Sequence, residues 1–189
     1  MPADIPFATA APTAHPTHPE TSIQKILIES NKIYAANFTQ GDLALPPAKK
    51  YAVVTCMDAR IDPSAAFGIA LGDAHVIRNA GGSARDALRS LIISQQLLGT
   101  NEILLVKHTG CGMLTFGNED AVKLVEERLG EGAKKELRIF GGEFLPFQDL
   151  EQEVRRDLEW LRGVEAIPEK VAVSGWVYEV ESGKVRRVV

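Results

Sequence analysis

Short apolar runs alternate with amphipathic stretches along this chain, in a strand-then-helix rhythm. Tyr51-Ala-Val-Val-Thr55 is a continuous, partly β-branched run with no polar alternation, the mark of a strand covered on both faces. Ala74 to Arg78 and Glu102 to Lys107 repeat the pattern, the latter being the most apolar. Pro63 to Ala70 reads as a short helix stopped by Leu71-Gly72-Asp73. Ser83, with Asp86 three residues on, opens a helix through Leu98 that Gly99 stops. Helices are also predicted over about 119–129 and over 147–162, where Leu150, Val154, Leu158 and Leu161 fall on one face. Ahead of the first strand, Thr21 or Ser22 caps a helix carrying Ile23, Ile26, Leu27, Ile33, Tyr34 and Phe38. Lys170 to Val180 reads as a strand, and Glu181-Ser-Gly-Lys184 as a turn into Val185 to Val189. Strands alternating with helices predict an α/β fold: a mostly parallel central sheet, helices on both faces, and an antiparallel C-terminal edge strand.

Composition narrows the setting. With 189 residues and no internal repeat, the reading is a flexible N-terminal tail over 1–20 and one α/β domain over 21–189. The tail is rich in Pro, Ala and Thr and lacks the pattern of a secretory signal; His15 and His18 within it read as solvated residues. A net charge of -4 argues against nucleic acid or an anionic membrane surface as a partner. No apolar run approaches the ~20 residues that span a bilayer. Two cysteines make no disulfide framework, which points to a reducing, cytoplasmic compartment.

Those two cysteines carry the candidate chemistry. Cys56 ends the first strand run, and His108 and Cys111 follow the third, in Lys107-His-Thr-Gly-Cys-Gly112. In an open α/β sheet, ligands bind beyond the carboxyl ends of the strands. If those strands are neighbours, two sulfurs and one imidazole converge there. That set leaves a fourth corner of a tetrahedral zinc free for water, as a catalytic site requires. Taken one at a time, each residue reads as ordinary: a buried cysteine is usually a small hydrophobe, and a strand-end histidine usually only hydrogen-bonds. A redox pair would want Cys-x-x-Cys, and a Cys-His hydrolase would want a third orienting group, neither of which is evident.

Asp58 and Arg60 follow Cys56 at two-residue steps, so an extended segment would turn all three to one side. Arginine beside aspartate keeps the carboxylate ionised and acceptor-only, fit to orient a nucleophilic water. A plain structural ion pair is the alternative. Arg78, Asn79 and Gly81-Gly82 anchor this loop, meet an anion at the following helix N-terminus, or simply make a tight strand-to-helix turn, while His75 reads as a packed histidine.

Cys56-Met-Asp-Ala-Arg60 together with His108-Thr-Gly-Cys111-Gly112 resembles the zinc-site signature of the β-class carbonic anhydrases. Arg78-Asn-Ala-Gly81 matches the segment that family carries between them, and Gly175-Trp-Val-Tyr178 matches more loosely. The resemblance implies one zinc per subunit on Cys56, His108 and Cys111, with Asp58 and Arg60 as the catalytic dyad. It also implies a homodimer or a larger assembly of dimers, with the 21–40 region lying on the partner. The implied reaction is attack of zinc-bound hydroxide on carbon dioxide, giving bicarbonate. Two thiolates neutralise the ion's formal charge, so activity is expected to rise toward alkaline pH.

Two features stand apart from the commonest family pattern. Ala59 occupies a position where serine is more frequent, and His108 to Phe116 follows the compact branch of the family. That branch also holds carbonyl sulfide hydrolases, with carbon disulfide hydrolases related. Carbonyl sulfide, releasing hydrogen sulfide and carbon dioxide, is therefore the alternative substrate. A non-catalytic zinc protein, closed by Asp58 as a fourth ligand, is the reading from a different class.

Overall fold

A computed structural model describes residues 19–189. His15, His18 and most of the expected tail lie outside the described residues. The chain divides into two compact units, one up to Leu43 and one over Ala44–Val189.

The first unit holds helix α1, Ser22–Ala36. Thr21 caps it, accepting from Gln24 N at 3.2 Å while the Gln24 side chain accepts from Thr21 N at 2.7 Å. This reciprocal pair satisfies two otherwise orphaned amides and fixes the helix start. Ile23, Leu27, Ile33 and Tyr34 are all exposed on it.

The second unit is the sheet and its helices, in the order β1 Tyr51–Cys56, α2 Pro63–Phe67, β2 Ala74–Asn79, α3 Ala84–Gln96, β3 Glu102–His108, α4 Asn118–Leu129, α5 Glu131–Glu136, α6 Leu150–Arg162, β4 Ala172–Tyr178 and β5 Val185–Arg187. The strands lie side by side as β2-β1-β3-β4-β5. β1 pairs in parallel with both β2 and β3, β3 with β4, and only β5 is antiparallel. The chain steps from β1 outward to β2 and then crosses back to β3 on β1's other side. The topological switch therefore falls between the ends of β1 and β3, the two strands that carry Cys56 and His108.

Helices α3 and α6 cover one face. Leu91, Val154, Leu158 and Leu161 have no exposed surface there and pack on Ala52, Val54, Ile103, Leu105 and Val177. Each such side chain contributes roughly 1.5–3 kcal/mol by leaving water. Gly175 on β4 permits this approach, because a β-carbon there would run into Val154 and Leu158. On the other face, Val53, Val106 and Tyr178 meet Ile61, Ile69 and the short α2. Phe67 of α2 stands edge-on to Tyr178 at 5.9 Å. Beside them is an apolar hollow of about 260 Å³ bordered by Tyr51, Phe67, Leu104, Trp176 and Val185.

Element ends depart from expectation where caps decide them. The last long helix starts at Leu150 rather than at 147, because Asp149 accepts from Gln152 N at 2.8 Å. Residues 131–136, for which the sequence pattern predicts no element, form α5. None of its residues is buried, so it left no apolar periodicity to read; Lys134 pairs with Glu126 of α4 at 2.8 Å instead.

Candidate metal centre

Cys56 closes β1, and the chain leaves it through a tight turn rather than an extended segment. Met57 N donates to Asn79 O at 2.9 Å, and Ile61 N to Asp58 O at 3.1 Å. Asp58 Oδ1 accepts from Arg60 N at 2.9 Å, an Asx-type turn. This turn, not strand alternation, brings Cys56, Asp58 and Arg60 together. Arg78 anchors it from β2, its Nε donating to Cys56 O at 2.9 Å and its Nη2 to Asp58 O at 2.7 Å. Of the readings for Arg78, loop anchoring is the one its contacts match. Asn79 braces the next turn, donating to Ser83 O at 2.9 Å and accepting from Ser83 N at 2.7 Å. His75 is packed as expected, its Nδ1 2.7 Å from Ser94 Oγ.

His108 closes β3 with no exposed side-chain surface. Its Nδ1 lies 2.9 Å from Thr109 O, which assigns the ring proton to Nδ1 and leaves a lone pair on Nε2. Thr109 pins this turn to the exit of β4. Its amide donates to Tyr178 O at 3.0 Å, and its hydroxyl donates to Glu181 at 2.7 Å while accepting from Val180 N at 3.0 Å. Gly110, at φ +59°, turns the chain so that Cys111 comes back beside Cys56.

The donor atoms of Cys56, His108 and Cys111 all lie within 4.8 Å of one another, and all three residues are buried. The two sulfurs are 4.0 Å apart. Two thiolates at Zn–S distances of about 2.3 Å in a tetrahedral set would stand roughly 3.8 Å apart. His108 Nε2 is buried with no hydrogen-bond partner among the described residues. An unpartnered buried nitrogen beside two sulfurs at this separation fits a metal ion and has no other evident function. The two buried sulfurs act as one pair, their contact favouring the first ionisation and opposing the second.

Arg60 grips Asp58 in a fork, Nε to Oδ1 at 2.9 Å and Nη2 to Oδ2 at 2.7 Å. Nη2 also donates to Gly110 O at 3.0 Å, tying the turn after Cys56 to the turn between His108 and Cys111. The guanidinium holds the Asp58 carboxyl far below the usual carboxylate range. Asp58 Oδ2 lies 3.7 Å from His108 Nε2, beside the Cys56–His108–Cys111 cluster.

Residues 51–185 match the carbonic anhydrase family model. The chain is 40% identical over 163 residues to Beta-carbonic anhydrase 1 of Mycobacterium tuberculosis, covering 85% of this chain and 94% of that one. The chain belongs to the β-class carbonic anhydrase family. Among solved structures, the carbonic anhydrase from Glaciozyma antarctica superposes with a TM-score of 0.83 at 42% identity, over 89% of this chain and 99% of that one. The family also reaches a carbon disulfide hydrolase of Acidithiobacillus thiooxidans, 35% identical over 159 residues, 76% of this chain and 79% of that one. As a β-class carbonic anhydrase, the chain carries its Cys-His-Cys set at the sheet's switch point, wholly within the Ala44–Val189 unit.

Two pairs that sequence reasoning missed support this carbonic anhydrase site. Thr109–Glu181 fixes the histidine turn, and Lys107–Asp157 lies directly behind it. A lysine interrupting the most apolar strand, one residue before His108, was the available signal for the second.

Proposed function

We propose that the chain is a zinc-dependent lyase interconverting carbon dioxide and bicarbonate, with Cys56, His108 and Cys111 as the metal ligands and one zinc per subunit. Bound there, zinc supplies an acidified water and a Lewis-acid centre. Asp58 is the acceptor that orients the attacking water, and Arg60 keeps it ionised and aimed. The observation that carries this reading is the fork: Asp58 is engaged by Arg60 while its Oδ2 stays beside His108 Nε2. A carboxylate acting as a closing fourth ligand would instead leave Arg60, which favours the enzyme over a non-catalytic zinc protein. Hydration adds water across one C=O bond and releases one proton to buffer.

The similarity to carbon disulfide hydrolases keeps sulfur-bearing relatives of carbon dioxide as the second reading, carbonyl sulfide first among them. Attack at the same central carbon would give carbon dioxide and hydrogen sulfide. We further propose a homodimer as the working unit, since α1 exposes Ile23, Leu27, Ile33 and Tyr34 on a helix with no buried residue. Cytoplasmic residence accords with two free cysteines. Stopped-flow carbon dioxide hydration, run beside a sulfide-release assay on carbonyl sulfide with zinc-loaded protein, tests the reading. Silence in both assays would refute catalysis, and light scattering reports the assembly.

A further inference from the structure

Directly behind the ligand set lies a buried ion pair that the reaction as described does not use. Lys107 and Asp157 are 2% and 3% exposed, with Nζ 2.9 Å from Oδ2. The ammonium also donates to Gly81 O at 3.1 Å and Gly82 O at 3.2 Å, so all three of its N–H groups are engaged. Phe147 lies under it at 5.1 Å. Asp157 in turn accepts from Ala84 N at 3.1 Å, at the start of α3. Stability alone does not explain such a pair, because apolar replacements of buried ion pairs are often neutral or favourable.

The clamp's target is what gives it meaning. Gly82 sits so close to the end of β1 that a β-carbon on it would stand 3.1 Å from Cys56 N. A turn held by its carbonyls from Lys107, which Asp157 of α6 holds in turn, thus braces the backbone of one ligand. Lys107 itself immediately precedes a second ligand, His108.

We propose that Lys107 and Asp157 are positioning residues of the metal centre, fixing the Gly81–Gly82 turn so that it stays packed against the main chain of Cys56 and holds that ligand in place. This rests on the zinc reading above. Neither residue touches substrate; they act through Cys56. Partners of metal ligands typically change affinity or activity 10–100-fold when removed.

The test uses full-length protein and the variant Lys107→Met/Asp157→Asn, which leaves no lone buried charge and keeps an acceptor for Ala84 N. Zinc affinity is measured by competition with a chromophoric chelator, and the cobalt(II)-substituted site by its thiolate-to-metal and ligand-field bands. The expected result is a folded protein by circular dichroism, with zinc held roughly 10–100-fold more weakly and displaced cobalt bands. A folded variant with wild-type affinity and superimposable bands overturns the proposal. Should the double variant not fold, Lys107→Arg decides, since it keeps the charge but is too long and planar to cap both carbonyls. A several-fold affinity loss supports the clamp, and wild-type affinity refutes it. Wild-type protein that fails to bind zinc, or binds cobalt without thiolate bands, refutes the metal reading itself, a different failure.

Discussion

Replacing Gly82 by alanine should damage the metal centre from behind, without touching a ligand. Gly82 has φ +59°, and a β-carbon there would stand 3.0 Å from Thr55 C, 3.1 Å from Cys56 N and 3.2 Å from Thr55 Cα. All three are main-chain atoms of a buried strand end, so none can swing aside. The left-handed conformation costs alanine about 1–2 kcal/mol. Forcing the turn and strand apart adds about 1–3 kcal/mol, as overpacking does elsewhere. Together these come to about 2–5 kcal/mol, and at roughly 2–4 °C per kcal/mol for a chain of this size Tm falls by about 4–20 °C. Gly99 is the internal control: it has φ +73°, with nothing within 4 Å of the added carbon. Gly99→Ala should carry only the conformational cost, about 2–8 °C in Tm, with zinc affinity unchanged. Scanning calorimetry of the zinc-loaded proteins and chelator competition read both quantities. If Gly82→Ala matches Gly99→Ala in Tm and binds zinc like wild type, the turn is not a support for Cys56.

Three further outcomes are expected. Asp58→Ala should keep its zinc and lose about 100-fold or more in kcat/KM for carbon dioxide, the range of a removed proton acceptor; stopped-flow rates within a few-fold of wild type would take the dyad out of the mechanism. Because the hydrogen-bonded Arg60 holds the Asp58 carboxyl well below its ordinary value, the stability it contributes is present above pH ~3.9 and is lost only as acid carries the pH down through the folded value. Carbon-detected NMR should therefore find Asp58 still ionised at about pH 4, and a titration midpoint at or above that refutes the fork. Two thiolates on the metal predict a kcat/KM that climbs toward alkaline pH, and a profile already flat down to about pH 6 would contradict it.

Much of this site was legible because its parts sit at strand ends. Buried parallel strands announce themselves as apolar runs, and the α/β topology then dictates where their carboxyl ends point. Cys56 and His108 converge because β1 and β3 are neighbours, a pairing that the apolar runs alone leave open and the sheet order supplies. The Asp58–Arg60 pairing was readable from its spacing for the wrong reason: the segment is a turn, and Asp58's own side chain makes it turn. Helix α5 was not readable, since nothing in it is buried and its support is an ion pair to α4.

Lys107 and Asp157 show where local reading stops. They stand fifty positions apart, Lys107 inside an apolar strand and Asp157 inside a helix whose other inward positions are Val154, Leu158 and Leu161. Each alone violates the pattern of its element, and a charge on a buried face is a cost unless its partner is found. Only the packing of α6 against β3 joins them, and only the glycine turn between them gives the joined pair something to hold. Violations of hydrophobic pattern on two elements that pack together are therefore worth pairing before the fold is known. Here that pairing leads from two misplaced charges to the glycine turn packed against Cys56.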